Sequence, residues 1–124
     1  MPDQTYFGRC VVVLKRKCGD LADVTNEEMI DLLENVVRKL ESAFRKAFGA
    51  TMFNWACLMN NAYQEKPPDP QVHWHLRPRY DRIVEFEGET FVDSDFGHHY
   101  ERHTERVVGD DIREKIIMKL REFC

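Results

Sequence analysis

The chain has 124 residues, of which 43% are apolar and 32% are charged, and its net charge is −4. This length suits a single domain over residues 1–124, and the composition excludes a disordered or fibrous protein. Uninterrupted apolar runs such as Cys10–Leu14 are far shorter than the roughly 20 residues of a membrane-spanning helix, so no membrane partner is expected. The mild acidity argues against nucleic-acid binding, so no nucleic-acid partner is expected either.

The first two predicted elements are a strand and a long helix. Cys10–Leu14 is rich in β-branched residues and predicts a buried strand. Thr25 and Glu28 have the spacing of a capping box, in which each side chain satisfies a backbone amide at the start of a helix. Apolar residues then recur at helical spacing up to Gly49, a typical helix stop. The pattern predicts a helix of about 24 residues whose apolar stripe covers a sheet.

Four further elements complete the predicted fold. Apolar residues predict strands over Phe53–Met59 and Val72–Pro78, and the prolines between them predict irregular structure. Ile83–Val92 predicts a hairpin with a glycine in its turn. A last helix is predicted over Asp110–Phe123, because acidic residues open it and basic residues lie near its end. This order of elements indicates an α+β fold with an antiparallel sheet.

The cysteines and the N-terminus bear on the cellular compartment. The four cysteines are scattered and form no Cys-x-x-Cys pair, so a zinc ribbon is not expected. The opening Met1-Pro2-Asp3-Gln4 shows neither the basic start nor the apolar stretch of a secretory signal. We therefore predict reduced thiols and a cytoplasmic location.

Segment 71–80 carries the clearest functional signal. Side chains alternate along a strand, so one face should present the apolar residues Val72, Trp74, Leu76 and Pro78. The other face should present the polar residues Gln71, His73, His75, Arg77 and, at the strand's end, Arg79. Imidazole can act as nucleophile, proton carrier or metal ligand, and guanidinium binds phosphate through paired hydrogen bonds. The row predicts a site for phosphate chemistry, and the alternative is a solvated sheet face.

This segment resembles the signature of the histidine triad (HIT) family, which is His-φ-His-φ-His-φ-φ with φ apolar, often followed by Pro-Arg. Aligning Pro78-Arg79 with that Pro-Arg puts Gln71, His73 and His75 in the three histidine positions. A second register is possible: it begins at His73, puts Arg77 in the third histidine position, and brings Pro-Arg two residues early.

The upstream sequence favours the first register. Many family members have Phe-Asn and then an Asn-Asn turn whose second asparagine precedes the first motif histidine by ten residues. Here Phe53-Asn54 and Asn60-Asn61 recur, and Asn61 stands ten residues before Gln71. Lys15-Arg16 and the helix start are also similar to the family's basic loop and first helix. The resemblance covers roughly residues 8–80.

The resemblance implies a nucleotide hydrolase or nucleotidyl transferase acting at the α-phosphate of a nucleoside phosphoanhydride, such as a dinucleoside polyphosphate, or of a phosphoramidate. His73, in the middle position, would be the nucleophile that forms a nucleotidyl-histidine, and His75 would be the second catalytic residue. The expected nucleotide-binding residues are Gln71, Asn60, Asn54, Arg77 and Lys17. The implied fold is an antiparallel sheet of about five strands with a long helix and a C-terminal helix. The resemblance also implies that two chains pair into a homodimer, and we expect no cofactor and no metal.

Three departures from the family pattern keep other functions open. Gln71 carries an amide that cannot transfer a proton, Lys66–Pro68 lacks the glycine and hydroxyl of the family's phosphate loop, and Lys17 stands where relatives commonly have histidine. A nucleotide-binding module without turnover is the main alternative. The other is a zinc site built from His73, His75 and one further histidine, which could be His98, His99 or His103.

Overall fold

The computed structural model describes residues 1–100 and 105–124, and it confirms an α+β fold with antiparallel sheets and a C-terminal helix. Three strands form the larger sheet: β1 (Cys10–Val13), β2 (Met52–Ala56) and β3 (His73–Arg79). β3 is the central strand and is paired on both sides, in the order β1-β3-β2. All three were predicted, and their observed bounds differ from the predicted ones by one to three residues at an end.

The predicted hairpin forms a second, separate sheet. Its strands are β4 (Val84–Phe86) and β5 (Glu89–Phe91), which pair only with each other. Glu87 and Gly88 join them with φ angles of 52° and 75°, the left-handed geometry of a two-residue hairpin turn. The expectation of one sheet of about five strands is therefore wrong in detail. The hairpin does not extend the three-stranded sheet; its apolar residues Val84, Phe86 and Phe91 pack into the main core instead.

The long helix, α1, spans residues 26–48 without a break in helical backbone geometry. Asn26–Asp31 and Arg38–Phe48 are α-helical, and Leu32–Val37 between them has π-type hydrogen bonding. Gly49 ends the helix in the left-handed conformation, with φ 74°, as the sequence predicts. Short 3-10 turns lie at Leu21–Asp23 and Asn61–Gln64.

The capping box at the start of α1 is confirmed. The Thr25 hydroxyl accepts a hydrogen bond from the Glu28 amide at 3.1 Å, and the Glu28 carboxylate accepts one from the Thr25 amide at 2.9 Å. Arg16 donates to the same carboxylate at 2.8 Å. The hydrogen bonds from Arg16 and Thr25 lower the pKa of Glu28 to about 2, so the box stays ionised far below neutral pH.

We expect Thr25→Ala to lower the free energy of unfolding by about 1 kcal/mol, because the Glu28 amide loses its partner at the helix start. Urea unfolding followed by circular dichroism measures the change. The matched control is Thr90→Ala in the hairpin, because the Thr90 side chain is exposed and makes no hydrogen bond with any residue that the structure describes. Equal losses for the two variants would contradict the capping role.

The C-terminal half of α1 covers the sheet most fully, whereas several apolar residues of its first half are exposed although Leu32 packs against the sheet, which corrects the predicted stripe. Ala43 and Phe44 are buried, whereas Met29, Ile30 and Leu33 are 41–55% exposed. The reason is length: 23 residues of helix extend about 35 Å, whereas the longest strand of the sheet, with 7 residues, extends about 23 Å. The homodimer that the resemblance implies stays a prediction.

The main core lies between the inner face of β3, the end of α1, the hairpin and the C-terminal helix α2 (Asp110–Arg121). Leu76 of β3, Phe44 of α1 and Ile116 of α2 are each 5% exposed or less. The predicted helix ends two residues later than α2. β1 forms as predicted but is half-buried, with Val13 55% exposed, because β1 is an outer strand and one of its faces is open.

Two further predictions concern thiols and membranes. All four cysteines are free, as expected for reduced thiols. Within the described residues, no helix combines the length and the apolar character needed to cross a bilayer.

Candidate functional site

The alternation predicted for segment 71–80 is confirmed. The apolar positions are buried: Val72, Trp74, Leu76 and Pro78. His73, His75 and Arg77 face the other side of the sheet and are half-buried. Because β3 is the middle strand, this polar row runs along the centre of the open face.

The strand register shows what lies beside each polar side chain. His75 stands between Val11 of β1 and Ala56 of β2, and Asn54 of β2 is opposite Arg77. Directly opposed residues of an antiparallel pair project from the same face, so Asn54 belongs to the same surface as the histidines. The register, and not the sequence spacing, brings the predicted Asn54 and Arg77 together.

His73 has a geometry that fixes its protonation pattern. Its Nδ1 lies 2.7 Å from the backbone carbonyl oxygen of Gln71. A carbonyl oxygen can only accept, so Nδ1 must carry the hydrogen in that bond. In the neutral ring the lone pair is then on Nε2, the atom that would attack phosphorus or bind a metal.

His75 is the neighbour of His73 on the open face. The two ring centroids are 5.0 Å apart and the ring planes are inclined at 72°. Burial, together with the charges of His73, Arg77 and Arg9, lowers the pKa of His75. Its Nδ1 is buried and has no hydrogen-bond partner within residues 1–100 and 105–124. The ring is therefore neutral at pH 7 and can accept a proton or a hydrogen bond.

Gln71 holds the basic loop that follows β1. Its amide nitrogen donates to the carbonyl oxygens of Leu14 and Arg16 at 2.7 and 2.8 Å, and its oxygen accepts from the Cys18 amide at 3.0 Å. Both amide hydrogens are thus committed to backbone partners. Sequence reasoning missed this role, since it depends on bringing together residues that are more than 50 positions apart.

We expect Gln71→Ala to lower the free energy of unfolding by about 1–3 kcal/mol, because three backbone groups of the loop lose their partner. Urea unfolding measures the change. The exposed Gln64 lies on a short 3-10 turn and serves as the matched control, with an expected loss of about 0.5 kcal/mol or less for Gln64→Ala. A Gln71→Ala variant as stable as this control would show that the amide does not hold the loop.

Arg79 occupies the last position of the row but is fully buried. Its Nε and Nη2 donate to the two carboxylate oxygens of Asp93 at 2.5 and 3.0 Å, and its Nη1 donates to the His98 carbonyl oxygen at 3.2 Å. The side chains of Arg79 and Asp93 are 1% and 3% exposed. This two-bond ion pair ties the end of β3 to the segment after the hairpin, so Arg79 has a structural role.

A cleft of about 900 Å³ opens beside the polar row. Arg77 and Asn54 line it, together with Ala56, the residue opposite His75. Tyr100 lies under the Arg77 guanidinium, with 4.0 Å from the guanidinium carbon to the ring centroid, and its hydroxyl accepts a hydrogen bond from the Asn54 amide at 2.7 Å. The cleft therefore combines the Arg77 guanidinium, stacked on a tyrosine ring, with the hydrogen-bonded Asn54 amide. Tyr100 was not predicted from the sequence as part of the site.

Arg9 is a second unpredicted cation of this cleft. It directly precedes Cys10, which is paired with Leu76, so continuing the register by one residue places it opposite Arg77. Its Nη1 lies 3.1 Å from the Asp3 carboxylate, and its side chain is 17% exposed. Burial and the positive charge of Arg77 lower the pKa of Arg9.

Of the predicted catalytic and nucleotide-binding residues, only Asn54 and Arg77 line this cleft; Gln71, His73 and His75 lie beside it on β3 or just before that strand, and Lys17 and Asn60 lie elsewhere. Lys17 is exposed and pairs with Asp69, with 2.5 Å between Nζ and Oδ1. Asn60 is exposed and immediately precedes the turn at Asn61–Gln64. Neither side chain lines the cleft that contains Arg77.

The alternative of a zinc site gains no support from the described residues. Among them, no three side chains of histidine, cysteine, aspartate or glutamate are grouped so as to hold a metal ion. His98 and His99 line the cleft beside Arg77. His103, the third candidate, lies outside the described residues.

Comparison of the chain with protein-family models, curated proteins and solved structures gives no match.

Proposed function

We propose that this protein is a nucleotide hydrolase or nucleotidyl transferase of the HIT type, with His73 as the nucleophile. The observation that carries the proposal is the 2.7 Å bond from His73 Nδ1 to the Gln71 carbonyl oxygen. It leaves the Nε2 lone pair free and holds the ring on the open face of the sheet. The proposed reaction divides one displacement at phosphorus into two easier ones.

In the first step, the Nε2 lone pair of His73 forms a bond to the α-phosphorus. The bridging P–O bond breaks, and its electron pair departs with the leaving phosphate. In the second step, a water oxygen attacks the same phosphorus, and the N–P electron pair returns to Nε2. His75 is neutral and two residues along the same face, so it can accept a proton from that water. A transferase would use another nucleophile in place of water.

The competing function is nucleotide binding without turnover. It is favoured by Gln71, whose amide is committed to the loop and cannot supply a proton. A leaving phosphate departs as an anion and needs no proton, whereas the amine of a phosphoramidate does. The binding-only function therefore predicts no turnover of any compound, and the enzymatic function predicts turnover where the leaving group is a phosphate.

The test is a substrate panel assayed by chromatographic separation of the released nucleotides. The panel contains dinucleoside polyphosphates, nucleoside triphosphates and nucleoside phosphoramidates, each with several bases. We expect release of a nucleoside monophosphate from at least one phosphoanhydride, and loss of that activity in His73→Ala. Saturable nucleotide binding with no release above background from any compound would instead support the binding module.

A further inference from the structure

The cleft beside Arg77 contains two guanidinium groups with unused hydrogen-bonding capacity. The Nε atoms of Arg9 and Arg77 are both buried, and neither has a hydrogen-bond partner among the residues that the structure describes. Arg77 makes no ion pair with any residue that the structure describes, unlike Arg9 with Asp3 and Arg79 with Asp93. A buried, unpaired N–H group is unfavourable unless a ligand or water satisfies it.

The tyrosine beneath Arg77 gives the guanidinium a fixed orientation. Tyr100 stacks on it at 4.0 Å, and the Asn54 amide, on the opposite strand, holds the Tyr100 hydroxyl at 2.7 Å. A guanidinium held in this way loses little freedom when it binds an anion, and its planar fork matches phosphate oxygens.

The position of this pair relative to the nucleophile indicates which part of a substrate it would contact. Arg77 is two residues from His75 on the same face, a separation of about 6.5–7 Å along the strand, and His73 is as far again. The cleft wall includes Ala56, which is opposite His75. A phosphate chain whose α-phosphorus lies at His73 could therefore extend past His75 toward Arg77.

We propose that Arg9 and Arg77 form an anion subsite that binds the far end of a departing polyphosphate, and that this subsite favours phosphoanhydrides with a long, polyanionic leaving group. The inference rests on the proposed function for the position of the α-phosphate. The subsite supplies positive charge to the phosphates at the far end of the leaving group, away from the α-phosphorus at His73. No proton is needed from Gln71, because the leaving phosphate departs as an anion.

Binding of inorganic tripolyphosphate to the full chain tests the subsite without turnover. Isothermal titration calorimetry at about 0.1 M salt compares wild type with Arg77→Gln and Arg9→Gln. Each variant should bind about tenfold or more weakly, because a charge-assisted phosphate contact is lost. The matched control is Arg121→Gln, at the exposed end of α2, which removes the same charge away from the cleft and should change binding about twofold or less.

Circular dichroism melting checks that each variant folds, and if Arg77→Gln does not, Arg77→Lys takes its place. The lysine keeps the charge but loses the planar fork, so its affinity should fall between wild type and Arg9→Gln. No binding of tripolyphosphate to wild type, or equal weakening by Arg121→Gln, would overturn the subsite. A wild type that binds tripolyphosphate through Arg77 yet turns over no nucleotide would overturn the proposed function and leave the subsite standing.

Discussion

His73→Ala is expected to lower kcat/KM for the best phosphoanhydride substrate by on the order of 10⁴-fold, because removal of a covalent nucleophile removes the first chemical step. The loss should appear in kcat, since the proposed bond from His73 to phosphorus would form only during the chemical step. Steady-state assays at several substrate concentrations separate kcat from KM.

The fold of this variant should be almost unchanged, which makes the kinetic loss interpretable. His73 is half-buried and makes one backbone hydrogen bond, to Gln71. Its removal should cost about 1 kcal/mol of stability in urea unfolding. His73→Gly adds a chemical test, because imidazole in solution can enter the vacated space and restore part of the turnover. If kcat of His73→Ala stays within about tenfold of wild type, His73 is not the nucleophile and another group attacks the phosphorus.

The largest effect on stability is expected from Arg79→Ala. The variant leaves the Asp93 carboxylate buried at 3% exposure without its two-bond partner, and breaking a buried ion pair in this way costs about 3–5 kcal/mol. The midpoint of urea unfolding should fall accordingly. Tyr6 and Tyr100, whose rings lie 5.1 and 5.2 Å from the guanidinium carbon, would also lose a packing partner.

An exposed arginine and a paired replacement provide the controls for Arg79. Arg82 pairs with Asp81 at the surface, where the two side chains are 63% and 47% exposed, so Arg82→Ala should cost about 0.5 kcal/mol or less. Replacing Arg79 with Met and Asp93 with Leu together removes both buried charges and should recover part of the loss. If Arg79→Ala is no more destabilising than Arg82→Ala, the buried pair does not stabilise the fold.

Local features of this fold could be predicted because neighbouring residues determine them. The Thr25 and Glu28 capping box, the stop at Gly49 and the hairpin turn each depend on a few adjacent positions. The alternation along β3 was equally local, and it correctly separated Trp74 and Leu76 from His73 and His75.

Features that depend on distant contacts could not be predicted in the same way. The spacing placed Arg79 in the functional row, but a buried Asp93 that is 14 positions away determines its role. Gln71 likewise gains its partners from a loop more than 50 positions earlier. The division into sheets of three and two strands depends on which strands pair with one another, and the pattern within a single strand does not determine that.

The candidate site shows the same limit. Its histidines could be read from one strand, whereas Arg9 and Tyr100 join Arg77 only through strand pairing and the packing of a later segment. A basic residue just before a predicted β1 was the only signal for Arg9. Its significance requires the register, which a single sequence does not supply.

The central claim is that hydrolysis proceeds through a covalent bond between His73 and the α-phosphorus. The stereochemistry of that phosphorus tests it most directly, using a substrate with a chiral phosphorothioate at the α-position and isotopically labelled water. Two in-line displacements, first by His73 and then by water, predict net retention of configuration. Net inversion would indicate a single displacement by water and would contradict the covalent mechanism.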